Sequence, residues 1–315
     1  MITFLLLLGG LVLLGVGGEI LVRGAVGAAR AVGVSPLLSG LVLVGFGTST
    51  PELVTSLTAA MREAPGIAVG NVVGSNIANI LLILGVTGVI APIMLKPSII
   101  RRDMIALAVA SAAGVVAVLA GFIDLWFGLV LVLLLVGYIV QAYLRERRQE
   151  AAEGAGEPRP KDWRGMGINV ALTAAGIALT VGGARMLVSG AIDLAEGLGV
   201  SDTVIGLTVV AVGTSLPELV ACVVAALRRH SDVALGNVIG SNIYNILGIL
   251  GVTAMVYPIR VPPEIARLDI WVMAAATVAL IAFMRTGGGL KRLESAAFLM
   301  AYVAYVGFLA MGGAA

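Results

Sequence analysis

Long apolar runs separated by short polar interruptions set the pattern of this chain. A run of about 20 uncharged residues is what a helix needs to cross the hydrocarbon core of a bilayer. Read by that length, the sequence predicts spans near residues 2–22, 34–61, 66–91, 104–122 and 125–144. A second set is predicted near 166–189, 201–227, 233–257, 270–284 and 295–312. Between the sets, residues 145–164 (RERRQEAAEGAGEPRPKDWR) are charged and contain Gly and Pro, which predicts a solvent linker. The expected fold class is all-α, a polytopic membrane protein of ten transmembrane helices. Residues 1–144 and 166–315 form two five-helix units joined by the linker 145–165. The first run turns apolar at Ile2 with no basic stretch before it and no small-residue cleavage site, so it reads as a span and not as a removable signal.

The two units are copies. Residues 70–87 read GNVVGSNIANILLILGVT and residues 236–253 read GNVIGSNIYNILGILGVT. The same offset carries Gly24 onto Gly190, Gly47-Thr48-Ser49 onto Gly213-Thr214-Ser215, and Asp103 onto Asp269. Five spans is an odd number, so the second copy is expected to enter the membrane from the opposite side, as an inverted-topology repeat of the kind secondary transporters use. With alternating loops, every basic residue except Arg62, Arg185, Arg260 and Arg267 falls on the face opposite the termini. The positive-inside rule then predicts a multi-pass cell-membrane protein with both termini outside and the linker in the cytoplasm.

Composition narrows the function. Of 315 residues, 59% are hydrophobic and 12% charged, about half the roughly 25% of charged residues in a soluble domain. A soluble enzyme, a nucleic-acid binder and a disulfide scaffold are excluded on that ground, and the net charge of +2 reflects loop topology, not a nucleic-acid partner. The 42 glycines are near twice the usual share of about 7%, as suits helices that pack closely or break. Cys222 and His230 are each alone in the chain, which excludes an internal disulfide and a histidine- or cysteine-based metal site.

Chemistry concentrates in two places per half. The second span is interrupted by Gly45-Phe46-Gly47-Thr48-Ser49-Thr50-Pro51-Glu52 and the seventh by Gly213-Thr214-Ser215-Leu216-Pro217-Glu218. Each proline removes a backbone donor and frees carbonyls upstream, and in lipid a freed carbonyl must find a partner within the protein or a cavity. A dehydrated cation is such a partner. Glu52 and Glu218 are the acidic residues expected near mid-span. An ionised carboxylate there costs several kcal/mol unless paired, and neither span core holds a lysine or arginine. In the third and eighth spans, Ser75 with Asn79 and Ser241 with Asn245 are each four residues apart, on one helix face. Asn71, Asn76, Asn237 and Asn242 add amides. Carboxylates, hydroxyls, amides and carbonyls without sulfur or imidazole make a hard-cation set that suits calcium over magnesium, and sodium accepts the same oxygens. Serine, asparagine and glycine also serve as plain helix-packing contacts; their occurrence at matched places in both halves argues for a site. Glu19 is expected to be an interfacial or structural charge and not a ligand, and Asp103 and Asp269 to cap their spans.

These motifs resemble the sodium/calcium exchanger family within the cation/calcium antiporter superfamily, in layout over the whole chain. The resemblance rests on Gly-Thr-Ser-Thr-Pro-Glu with Gly-Asn-Val-Val-Gly-Ser-Asn, and on Gly-Thr-Ser-Leu-Pro-Glu with Gly-Asn-Val-Ile-Gly-Ser-Asn. It implies a secondary active antiporter, not an enzyme, that exchanges sodium for calcium by alternating access at a midplane site. Glu52 and Glu218 would be the central ligands, completed by Thr48, Ser49, Thr214 and Ser215. Carbonyls near Gly45 and Ala211 and the hydroxyls of Ser75 and Ser241 would hold flanking sodium ions, with Asn79 and Asn245 at the middle of the cluster. Many family members carry an aspartate at one of the last two positions; this chain has asparagine at both. No cofactor is implied beyond the transported Ca2+ and Na+, and the expected partners are inorganic cations and the lipid bilayer, with the chain working as a monomer. A proton/calcium or potassium-linked exchanger on the same fold is the alternative, followed by a cation channel.

Overall fold

The computed structural model describes residues 2–32, 36–94, 97–152, 163–197, 213 and 215–311. The first half runs as α1 (Ile2–Val32), then α2 (Pro36–Ser39), a π-helical turn (Gly40–Val44), α3 (Gly45–Thr48) and α4 (Thr50–Met61). It continues as α5 (Pro65–Ile77), a π-helical turn (Ala78–Ile83), α6 (Leu84–Ile90), β1 (Ile93–Met94), α7 (Pro97–Leu119), β2 (Phe122–Ile123) and α8 (Leu125–Ala152). The second half contains α9 (Trp163–Gly197), α10 (Leu216–Leu227), α11 (Ser231–Ile243), a π-helical turn (Tyr244–Leu250) and α12 (Gly251–Val256). After these come β3 (Ile259–Arg260), a π-helical turn (Ile265–Asp269), α13 (Ile270–Gly287), β4 (Gly289–Leu290) and α14 (Arg292–Ala310).

Among the described residues, 8 helical runs are long and apolar enough to cross a membrane. The expected spans at 34–61 and 201–227 are not among them: the first is cut into short segments, and the second is described as a helix only from Leu216. The runs Pro65–Ile90 and Ser231–Val256 lie at the centre, with 72% and 83% of their most apolar stretch buried against 11% for Arg292–Leu309 at the periphery. Ile77, Ile80, Ile83 and Leu84 from one and Leu235, Ile243, Ile246 and Ile249 from the other are fully enclosed.

α1 and α9, which hold equivalent places in the sequence repeat, pack antiparallel along their length. Gly10 sits against Leu187, Gly17 against Thr180, Gly24 against Thr173, and Gly190 against Thr3 and Leu6. A Cβ at Gly17 or Gly24 would stand 2.8 or 2.6 Å from the partner's backbone nitrogen, so the seam closes only because these positions lack side chains. The two halves also meet in two short antiparallel ribbons, β1 with β4 and β2 with β3, each joining a loop of one half to a loop of the other.

Two expectations change. Asp103 and Asp269 do not cap. Asp103 is fully buried inside α7, where Tyr138 of α8 donates a 2.8 Å hydrogen bond to it and the adjacent Arg102 pairs with it. Asp269 ends a π-helical turn, makes no side-chain cap, and accepts a 2.7 Å bond from Tyr305 of α14. Both carboxylates therefore tie neighbouring helices together, a job that sequence position alone does not distinguish from capping. α8 continues to Ala152, into the expected linker. Residues 145–152 are rich in Arg, Glu, Gln and Ala, which favour a helix in water as well as in lipid.

Candidate cation-binding site

The site begins with a repeated local event. Ser49 (φ −83°, ψ 10°) and Ser215 (φ −91°, ψ 4°) leave helical geometry, and a new helix starts directly after each. Pro51 and Pro217 fall in the first turn of α4 and α10, where a missing N–H costs nothing. The expected interruption of a continuous helix is thus a stop and a restart. Glu52 and Glu218 occupy the first turn of the restarted helices, whose N-terminal ends carry partial positive charge that favours an anion. Because Pro51 and Pro217 cannot donate one turn back, the carbonyls of Gly47 and Gly213 lose their ordinary partner.

The two breaks face each other. Glu52 and Glu218 are 3% and 2% exposed. The Ser49 hydroxyl of the first half donates to Oε1 of Glu218 in the second, at 3.3 Å. Ser241 of the second half donates to the Gly45 carbonyl of the first at 3.2 Å, and the Thr48 hydroxyl stands 3.4 Å from Oδ1 of Asn237. Gly240 of α11 lies so close to the π-helical turn before α3 that a Cβ there would meet the Leu41 carbonyl at 2.2 Å. That close approach brings Ser241 to Gly45. α9 lies over both breaks, with Ile177 against Gly47 and Val188 against Gly213.

Asn79 and Asn245 sit inside π-helical turns. The wider turn shifts side chains and backbone carbonyls off the α-helical register, and such turns are frequent at functional sites. Asn79 donates to Asn242 of the other half at 3.0 Å. The equivalent contact of Asn245 with Asn76 is not formed: both side-chain polar atoms of Asn245, together with Oδ1 of Asn76 and Nδ2 of Asn242, are buried without a hydrogen-bond partner. Oε2 of Glu52 and Oε2 of Glu218 are in the same condition. Buried polar atoms are ordinarily satisfied, so the unmet carboxylate oxygens of Glu52 and Glu218 are what a dehydrated cation would complete.

A supporting layer emerges that the sequence reading counted only as amides. The Asn71 amide donates to the Glu52 carbonyl at 3.0 Å and to the Ser56 hydroxyl at 2.8 Å. Its counterpart Asn237 donates to the Glu218 carbonyl at 3.4 Å and to the Cys222 sulfur at 3.0 Å. Each asparagine thus fixes the helix turn that carries a glutamate. The only sequence signal for this role was the equal spacing of Glu52 to Asn71 and Glu218 to Asn237.

Of the expected ligands, Glu52, Glu218, Thr48, Ser49, Ser241, Asn79, Asn245 and Gly45 are buried around the facing breaks. Ser75 and Ser215 are also buried, but their hydroxyls bond to no other described candidate. Thr214 and Ala211 lie outside the described residues. Neither glutamate has a basic side chain within ion-pair distance among the described residues. No group of three His, Cys, Asp or Glu side chains occurs there either. What remains is two carboxylates embedded in hydroxyl, amide and carbonyl oxygens, a donor set of the kind that a hard cation such as Ca2+ or Na+ accepts.

The chain resembles known membrane transporters along nearly its whole length. The family described as "Sodium/calcium exchanger protein" matches residues 2–144 and 168–311, one block in each half. The putative antiporter CaxA of Alkalimonas amylolytica is 35% identical over 97% of this chain and 98% of its own length. The sodium/calcium exchanger MaX1 of Methanosarcina acetivorans is 35% identical over 97% of each. A solved structure of the sodium-calcium exchanger NCX_Mj soaked with Na+ and Sr2+ superposes with a TM-score of 0.84 at 31% identity, covering 98% of both chains.

Proposed function

Because this chain belongs to the sodium/calcium exchanger family, a family of membrane transporters and not of enzymes, we propose that it exchanges sodium for calcium across the cell membrane at the site between Glu52 and Glu218. The observation that carries this reading is the pair of buried glutamates, each in the first turn of its helix, each with one unpartnered oxygen and, among the described residues, no basic neighbour. Thr48, Ser49, Thr214, Ser215, Asn79 and Asn245 complete the coordination, and the Gly45 and Ala211 carbonyls with Ser75 and Ser241 hold flanking sodium ions. The exchanger needs no cofactor and works as a monomer.

In this reading the chain makes ten crossings as two inverted five-helix repeats, with α1 and α9 as the moving pair. Their antiparallel packing supports the inversion, and the break at Ser49 accounts for the second span's not being one continuous helix. Both termini face outward and the linker lies in the cytoplasm. Translocation follows from electrostatics. With no cation bound, two carboxylates would have to pass through a closed, low-dielectric cavity, at a cost of several kcal/mol. One calcium or two sodium ions neutralise the pair, so loaded forms cross and the empty form does not, which enforces exchange.

Calcium flux into proteoliposomes under imposed sodium, potassium and proton gradients tests this. A sodium gradient should drive calcium movement, and a proton or potassium gradient alone should not. Flux driven by protons and indifferent to sodium would identify a proton/calcium exchanger on the same fold; flux with no exchangeable cation on the far side would identify a channel.

A further inference from the structure

Glu19 lies outside the cation site, yet it is the most connected charge on α1. Its carboxylate pairs with Arg23 one turn along the same helix and with Arg228 at the end of α10. Arg228 caps the C-terminal end of the helix whose first turn holds Glu218, so the pair joins α1 directly to the element that carries that glutamate. The contact is backed by packing: Gly18 of α1 sits against Val220 and Val224 of α10, where a Cβ would meet the Val220 side chain at 2.6 Å.

The same places in the other half read differently. The sequence offset carries Glu19 onto Arg185 of α9, Arg23 onto Ser189, and Arg228 onto Arg62 at the end of α4. Two arginines therefore stand where the first pair has opposite charges. Among the described residues neither Arg62 nor Arg185 has a carboxylate within ion-pair distance. The packing differs in the same direction. Val54, the counterpart of Val220, is 54% exposed, Thr58, the counterpart of Val224, is exposed, and α9 makes no packing against α4 comparable to that of α1 against α10. Among the described residues, α1 closes over α10 at one end, while α9 leaves α4 uncovered at the other.

We propose that Glu19 and Arg228, with Arg23, form an ion-pair latch that holds α1 against α10, and that its replacement by Arg185 and Arg62 leaves the opposite end without a latch. The resting exchanger is thereby biased toward one access state. The latch rests on the reading that α1 and α9 move against the remaining helices. Like charges brought together by closure at the Arg62 end disfavour that closure, while opposite charges favour closure at the Arg228 end. A partly exposed ion pair is worth little on its own, but a small free energy suffices to shift a two-state population several-fold.

Matched cysteine pairs in proteoliposomes read both ends. G18C with V220C reports closure of α1 on α10, and A184C with V54C, at the equivalent places, reports closure of α9 on α4; the native Cys222 is fully buried. Oxidative cross-linking should be faster for the first pair. E19Q should slow it about three- to fivefold and speed the second pair, a change of the size an ion pair at a partly exposed site supports. The charge reversal E19R with R228E should restore the original rates, and R62E, which places a carboxylate opposite Arg185, should speed the second pair. If Na+ and Ca2+ alter the cross-linking rates but E19Q and the reversal do not, the latch is wrong and the helix movement stands. Rates indifferent to ions and substitutions alike would overturn the movement, and the latch with it.

Discussion

Asn71 and Asn237 occupy equivalent positions and perform the same task, each holding the carbonyl of a buried glutamate. Glu19 and Arg185 occupy equivalent positions too, and their charges are opposite. The halves of the chain are close copies where they surround the candidate site and diverge where α1 and α9 cover it. In the proposed exchanger, a site that coordinates one ion from both sides would have little freedom to differ. On the same proposal the covering helices would need only to close in turn, and unequal charges at their two ends would make the two closures unequal in energy.

The strongest way to break the first half of this comparison is to remove one carboxylate at a time. Glu52→Gln and Glu218→Gln should each weaken calcium binding by about 3 kcal/mol, roughly 100-fold or more, because each deletes a charge from a buried ionic cluster. Isothermal titration of the purified variants measures this, and a tenfold inequality between the two would end the claim that the halves contribute alike. Next in size are the tyrosines that tie helices within each half. Tyr138→Phe strips a hydrogen bond from the fully buried Asp103 and should lower stability by about 2 kcal/mol, since hydrogen bonds to charged groups contribute about 1.5–3 kcal/mol. Tyr305→Phe acts on a less buried Asp269 and should cost about half as much, as thermal unfolding would register.

The supporting asparagines sharpen the comparison further. Asn237 reaches Thr48 across the halves as well as Glu218 and Cys222, whereas the recorded bonds of Asn71 stay within its own half. Asn237→Ala should therefore weaken calcium binding by about 1.5 kcal/mol and Asn71→Ala by about 1 kcal/mol, within the range for an unmet buried polar group. Smallest of all is Cys222→Ser, which gives the second half the residue that the first half has at Ser56. A hydroxyl is a better acceptor for the Asn237 amide than a thiol is, so stability should rise by about 0.5 kcal/mol.

Much of this arrangement is legible in the sequence because its signals are local or repeated. The Pro-Glu steps mark the helix breaks, and charge scarcity singles out Glu52 and Glu218 among acidic residues that mostly lie in loops or at span ends. The π-helical turns around Asn79 and Asn245 are not legible, because a shift from i→i+4 to i→i+5 bonding is decided by packing across the bundle and leaves no mark in residue type. Asp103 and Tyr138 are 35 residues apart, so their pairing belongs to tertiary structure, and a capping role was the natural local alternative. Glu19 is a similar case. Its partner Arg228 comes from the other half of the chain, and no spacing rule connects them. Asn71 and Asn237 lie between these extremes: the motif names them, but only the fold shows that each amide donates to a glutamate's backbone carbonyl.

The central claim is that Glu52 and Glu218 jointly hold the transported cation. Its most direct measurement is calcium titration of the purified protein, with and without competing sodium, for the unaltered chain, Glu52→Gln, Glu218→Gln and Glu19→Gln. Saturable calcium binding that sodium displaces, lost in both site variants and kept in Glu19→Gln with all four proteins unfolding cooperatively, is the predicted result. Calcium binding that survives in either Glu52→Gln or Glu218→Gln at undiminished affinity would contradict it.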